Sequence, residues 1–310
     1  MRHIYTLVYA ADERECAEAE AWAMLGAEAQ GRKLVLADAC MDVTRAAHIG
    51  LCLHEMARAE SFEALVPRVR SLQCHAEGFR VTVVKQGKAK RQGPGSDEIA
   101  RRLADVIDGH PDLTAPRVLY GCVGADGGWH FGLVESEADR QWVRHGAKPH
   151  TFSNSLPTRL ARAMVNLVAR PGDTIVDPCC GSGTIPIEAA SMGITAVGFD
   201  ANKKMTSHAR ENLLHFGLPP LIAAGDARHI GGRYDAVVTD LPYGWTSRPD
   251  AGLYAEALAN LRRLAPRLSV VVGGDAGECI TGAGWRILRS ARQAKGQLRR
   301  HIYVCEADGP

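Results

Sequence analysis

The chain has 310 residues, 46% hydrophobic and 23% charged, and a formal net charge of +2. That length points to two or three domains with cores of their own. The composition excludes a disordered chain, and no apolar run approaches the roughly 18 residues of a membrane span. Nine cysteines are scattered and never spaced Cys-x-x-Cys, and the start lacks an apolar leader. A reduced cytoplasmic protein with no structural zinc or other metal is expected.

The first stretch, residues 3 to 66, reads as a small α+β unit. Ile4 to Tyr9 and Leu34 to Ala37 are strands, and Glu13 to Leu25 and about Thr44 to Ala57 are helices. Phe79 to Val84 alternates as a strand, Ser96 to Asp108 is a helix opened by a Ser-Asp-Glu cap, and Arg117 to Cys122 and Trp129 to Val134 are strands. Between the first of these strands and the helix, Lys85 to Gly95 is polar, basic and glycine-rich, and an exposed loop is expected.

The modest net charge hides an uneven distribution. Residues 1 to 60 carry six Lys/Arg against ten Asp/Glu, whereas residues 68 to 102 carry nine against three. Lys85, Lys88, Lys90, Arg91, Arg101 and Arg102 cluster there as candidate phosphate contacts. A second run, Arg286, Arg289, Arg292, Lys295, Arg299 and Arg300, has no acid among it.

From Pro171 onward strand and helix alternate, which predicts a parallel, doubly wound α/β sheet. The strands are Thr174 to Val176, Ala196 to Phe199, Asp235 to Thr239 and Leu268 to Val272. The helices are Thr184 to Met192, Lys203 to Phe216 and Leu253 to Leu264. Trp285 to Leu288 and His301 to Cys305 would close the sheet as an antiparallel edge.

After the first of these strands comes Asp177-Pro178-Cys179-Cys180-Gly181-Ser182-Gly183, a turn in which glycine lets backbone amides approach a ligand. It lacks the dinucleotide spacing and the Walker lysine, which disfavours a pyrophosphate. Asp200 ends the next strand, 17 positions after Gly183, where a carboxylate accepts the hydroxyls of a ribose. Asp226 follows the third strand position and suits an adenine amine. Ribose and adenine without phosphate describe S-adenosylmethionine. Cys179 and Cys180 read as small turn residues rather than nucleophiles.

The fourth strand ends in Asp240-Leu241-Pro242-Tyr243-Gly244. An exocyclic amine on a purine is a poor nucleophile because its lone pair is delocalised into the ring. Hydrogen bonds to the Asp240 carboxylate and the Leu241 carbonyl would pyramidalise it and stabilise charge growing on nitrogen. Pro242 would stiffen the turn and Tyr243 would stack on the base. Guanine-N2 and adenine-N6 fit the same motif, and a binding module with a vestigial pocket is the non-enzymatic alternative.

The set DPCCGSG, GFDAN, GDA and DLPYG resembles the THUMP-containing tRNA guanine-N2 methyltransferases. The stretch Lys148 to His150 through Leu156 to Met164 is similar to the segment before the cofactor strand in that family. This resemblance implies a Rossmann-like class I methyltransferase domain over 151–310. Before it would come a ferredoxin-like unit over 1–66, a THUMP-like RNA-binding domain over 67–135 and a linker over 136–150. It implies tRNA as partner, a monomer, and S-adenosylmethionine held by Ser155, Thr158, Asp177, Cys180, Gly181, Gly183, Asp200, Ala201, Asp226, Ala227 and Asp240. Asp240 to Tyr243 would face the target amine. The family more often has Pro-Phe-Cys where this chain has Pro-Cys-Cys, and a second proline in place of Leu241.

Overall fold

A computed structural model describes residues 2–307 apart from 31–32, 92, 154, 243–250 and 296–297. The chain divides into two compact units. The first comprises Met1–Val8, Leu25–Thr44 and Ile49–Asp139. The second comprises Tyr9–Met24, Arg45–His48 and Arg140–Pro310.

The first unit is built on one seven-stranded sheet. Its strands are β1 (His3–Leu7), β2 (Ala29–Gln30), β3 (Leu34–Ala37), β4 (Ile49–Ala59), β5 (Phe79–Lys85), β6 (Val118–Ala125) and β7 (Gly128–Glu137). They lie in the order β2-β3-β1-β4-β7-β6-β5. The expected units 1–66 and 67–135 therefore share a sheet, because β4 pairs antiparallel with both β1 and β7.

The helix expected from Thr44 to Ala57 is instead largely strand β4. Ile49, Leu51 and Leu53 alternate into the core, and the ladders on both edges override the helical propensity of the alanines. A helix absent from the sequence reading, Phe62–Ser71, is capped by Ser61, whose side chain accepts from Ala64 N, and it buries Phe62, Leu65 and Val69. The basic stretch after β5 is not an open loop either. Gly87–Arg91 forms a short helix that turns Ala89 inward.

The second unit carries the other sheet. Its strands are β8 (Thr174–Asp177), β9 (Thr195–Asp200), β10 (Ile222–Ala224), β11 (Ala236–Asp240), β12 (Arg267–Val272), β13 (Trp285–Lys295) and β14 (Leu298–Ala307). The order is β10-β9-β8-β11-β12-β14-β13. The first five run parallel, and β14 enters antiparallel between β12 and β13, as the alternating ends of the sequence suggested.

Alternation along the strands feeds two cores. Ile175, Ala236, Val238 and Val271 point to the side covered by helices Thr158–Val168 and Thr184–Ser191. Val176, Val237, Val270 and Val272 point to the side covered by Tyr254, Leu258 and Leu261 of helix Ala251–Leu264. Strands buried on both faces need this continuous run of aliphatic residues.

Cys16 and Ala19 of helix Arg14–Leu25 pack in the same core as Leu160, Met164 and Val168. A buried carboxylate holds this arrangement. Glu20 accepts from Ala47 N at 2.8 Å, His48 N at 2.6 Å and Asn166 Nδ2 at 2.6 Å. Residues 9–24 therefore group with the second unit, although their place in the sequence suggested the first.

Candidate active site

The strand order reverses between β8 and β11, and in a doubly wound sheet the crevice beyond the carboxyl ends of such strands is where ligands bind. A cavity of about 570 Å³ lies there. Four strand ends each bring an acid to its wall: Asp177 from β8, Asp200 from β9, Asp226 just after β10 and Asp240 from β11.

The turn after β8 is held by its own backbone and by its neighbour strand. Cys180 N donates to Phe199 O at 2.8 Å, Cys179 N to Asp177 Oδ1 at 3.2 Å, and Gly183 N to Cys180 O at 2.8 Å. Gly181 has φ +52° and Gly183 φ +84°, in the left-handed region where a side chain is strained. The two glycines differ in purpose. Gly181 lines the cavity, with open space where a Cβ would stand, whereas Gly183 lies off it, and a Cβ there would meet the Ala209 Cβ at 3.1 Å. Gly183 thus serves the close approach of helix Lys203–His215.

Asp200 accepts from Gly181 N at 2.9 Å through Oδ2 and from Asn202 N at 2.8 Å through Oδ1. A carboxylate has about four lone-pair sites, so ribose hydroxyls can still be accepted. Asp226 is more occupied than the sequence suggested. Arg228 forks onto it with Nη2 to Oδ2 at 2.6 Å and Nε to Oδ1 at 3.0 Å, holding its carboxyl down at about 2. Asp177 is the opposite case. Burial pushes its carboxyl up to about 8, against the Cys179 amide, and the charges of Asp240 and Asp200 add to the rise.

Burial likewise drives the Cys179 and Cys180 thiols well above the ordinary thiol range, which suits the packing role expected of them. Leu241 is buried and fixed by its N–H donating to Val271 O at 3.1 Å, and Leu241 and Pro242 follow Asp240 along the cavity wall.

Of the sequence-predicted cofactor residues, Ser155, Asp177, Cys180, Gly181, Asp200, Ala201, Asp226, Ala227 and Asp240 all line the cavity. Thr158 and Gly183 do not, since Thr158 begins the helix beyond the wall segment. Tyr243 lies outside the described residues. Sequence reasoning missed Phe152, Thr184, Met205 and Arg228, which lie outside the quoted motifs, and passed over Ser182 within the glycine turn; all line the cavity.

In the first unit, Lys88, Lys90 and Arg91 are exposed on the short helix. The other expected phosphate contacts have neighbours of their own, and Arg101 stays largely exposed. Lys85 Nζ donates to Pro94 O at 2.7 Å, Arg101 lies 3.8 Å from Asp105, and Arg102 grips Glu63 at 2.8 and 2.6 Å above the Phe62 ring. The second basic run is not acid-free in space. Arg286 meets Glu306 at 2.5 Å, Arg292 lies 3.4 Å from Glu15, and Arg300 is buried.

Residues 145–272 match the model of the UPF0020 family, described as RMKL-like, methyltransferase domain. This segment is similar to a methyltransferase domain. It is 43% identical over 120 residues to a tRNA (guanine(10)-N2)-dimethyltransferase of Methanothermobacter thermautotrophicus, covering 37% of this chain and 35% of that protein. The protein of the same name from Pyrococcus abyssi is 32% identical over 186 residues, 56% of this chain and 54% of that one. The chain thus spans between about a third and about half the length of these curated relatives.

The crystal structure of TrmN from Thermus thermophilus superposes over 99% of this chain and 100% of its own, with a TM-score of 0.52 and 21% identity. The likeness is one of fold. The sheet of the second unit is Rossmann-like, five parallel strands followed by an antiparallel pair.

The wall chemistry fits S-adenosylmethionine. With Asp177 holding its proton, Asp200, Asp226 and Asp240 still give the cavity an acidic wall, which disfavours a polyphosphate and suits a nucleoside carrying a cationic sulfonium. Asp200 and Gly225 to Arg228 line this same cavity.

Proposed function

We propose that this protein transfers the methyl group of S-adenosylmethionine to the exocyclic N2 of a guanosine in tRNA. The observation that carries the reading is a single cavity in which Asp240 and Leu241 share a wall with the nucleoside-binding Asp200 and Asp226. The names of the Methanothermobacter and Pyrococcus relatives support the guanine amine and the tRNA.

When bound, the cofactor supplies an electrophilic methyl whose bond to sulfur breaks as the bond to nitrogen forms. The chain's own residues prepare the nucleophile. Asp240 accepts one N–H of the amine and the Leu241 carbonyl accepts the other, so the lone pair turns out of the ring plane toward the methyl. The bond from Leu241 N to Val271 O fixes the peptide between Asp240 and Leu241 before substrate arrives. The surplus proton leaves the methylated amine, and the Asp240 carboxylate can accept it. Lys88, Lys90 and Arg91 supply phosphate contacts that add affinity without reading sequence, and the first unit serves as a THUMP-like tRNA-binding region acting in the cytoplasm.

Adenine-N6 is the second reading, since Asp240 and Leu241 suit either amine. Incubation with labelled cofactor and tRNA, followed by digestion to nucleosides, separates the two. N2-methylguanosine is the expected product, and its loss when inosine replaces the target guanosine would confirm the amine. Label on adenosine, or none, contradicts the proposal.

A further inference from the structure

One charged side chain beside the cavity has no part in the account above. Lys148 is 6% exposed, and its Nζ donates to Thr184 Oγ1 at 2.6 Å. Thr184 lines the cavity, as do Ser155, Ser182 and Phe152.

A buried ammonium calls for an anion. Glu188 is the carboxylate beside it, yet its Oε1 faces His145 Nδ1 at 2.8 Å and its Oε2 accepts from Arg162 Nη1 at 3.3 Å. Both oxygens of Glu188 are thus engaged by other groups, and a further negative charge near the buried ammonium would be favourable. Burial draws the Lys148 ammonium down to about 8, with Glu188 opposing, so it is charged at neutral pH.

A hydroxyl that accepts from an ammonium keeps its own proton to donate. Thr184 therefore has its O–H available to the cavity it lines. Ser155 Oγ and Ser182 Oγ stand 3.4 Å apart on the same wall. The wall is rigid. Asn212, fully buried, accepts from His150 N at 2.8 Å through Oδ1 and donates through Nδ2 to His150 O at 3.0 Å and Ser182 O at 2.9 Å.

We infer that Lys148, acting through Thr184, is a positioning residue for the α-carboxylate of the cofactor's methionine moiety. The inference rests on the S-adenosylmethionine reading of the cavity and adds the determinant that selects an amino-acid tail over a bare thioether. Asp200, Asp226 and Asp240 also line the cavity and Arg228 is already forked onto Asp226, so among the described residues the Thr184 hydroxyl backed by Lys148 is the place for an anion.

The test compares two ligands that share the nucleoside and differ in the tail. S-adenosylhomocysteine has the carboxylate and 5′-methylthioadenosine lacks it. Calorimetric titration of the full-length wild-type protein should favour S-adenosylhomocysteine by about tenfold or more, as a charge-assisted contact warrants. Lys148→Met should bring that preference close to one by weakening S-adenosylhomocysteine alone, with methylthioadenosine unchanged within about twofold. Lys148→Arg should restore part of it. Thr184→Val, which leaves Lys148 in place, should also lose the preference, and it provides the test should Lys148→Met not fold.

An unchanged preference in Thr184→Val, or in a folded Lys148→Met, overturns the role of Lys148 while leaving the cofactor reading intact. Failure of the wild type to bind either ligand overturns the cofactor reading itself.

Discussion

Gly181 N donates to Asp200 Oδ2 at 2.9 Å, so the glycine turn that ends β8 is tied to the acid that ends β9. One bond thereby sets the wall that approaches the ligand and orients the carboxylate for ribose. Asp200→Ala removes both roles. Its affinity for S-adenosylhomocysteine should fall by roughly 10- to 100-fold, the worth of one or two charge-assisted hydrogen bonds. Asp200→Asn, which keeps one acceptor oxygen, should lose less, and tRNA binding by either variant should match wild type. Calorimetry for the cofactor and filter binding for tRNA check both parts, and equal cofactor affinity in all three proteins would refute the ribose assignment.

The two turn glycines should separate in their effects. Each has a positive φ, which costs an alanine roughly 1–2 kcal/mol. Gly183→Ala in addition pushes a Cβ to 3.1 Å from Ala209, while Gly181→Ala points into open space on the cavity side. Gly183→Ala should therefore lower Tm the more, by a margin on the order of 4 °C. Gly181→Ala should weaken S-adenosylhomocysteine the more. Thermal melts and titrations of the two variants settle the assignment, and a reversed ranking would contradict it.

Asp177 makes a prediction about pH. Burial raises its carboxyl to about 8 in the folded protein, against about 3.9 in an unfolded chain. The folded state then holds a proton that the unfolded state releases, so this group's contribution is fully present below about pH 4 and is lost as pH rises toward about 8. Asp177→Asn cannot titrate. The difference in Tm between wild type and Asp177→Asn, followed from pH 5 to pH 9 without ligand, should shift steadily against the wild type until it levels off. A difference that stays flat over this range would show that Asp177 ionises normally.

Much of the second unit was legible because its chemistry depends on the backbone. A glycine turn, an acid 17 positions later and an acid ending the fourth strand are dictated by where strands stop, and strands buried on both faces announce themselves as aliphatic runs. The first unit was harder. Residues 49–59 carry alanine, leucine, glutamate and methionine, all compatible with helix, and only the ladders to β1 and β7 make them a strand. Helix Phe62–Ser71 was masked by Pro67 in its interior.

The site was incomplete for a related reason. Arg228 lies two residues from Asp226, but nothing in the sequence says that it turns back to grip it. Lys148 and Thr184 are 36 residues apart and meet only because helix Thr184–Ser191 starts beside the segment that carries Lys148. Likewise the +6 stretch overstated the free charge, since Glu63 takes Arg102 from a helix that the pattern did not reveal.

The central claim is that Asp240, at the end of β11, holds the target amine for direct methyl transfer. Single-turnover methylation of tRNA by Asp240→Ala and Asp240→Asn, set beside their affinities for S-adenosylhomocysteine, tests it most directly. The rate should fall by about 10²–10³-fold, as for loss of one preorganised charge-stabilising contact, and this loss should exceed any loss of cofactor affinity by at least about tenfold. A rate that stays near wild type, or one that falls only in step with cofactor binding, would contradict it.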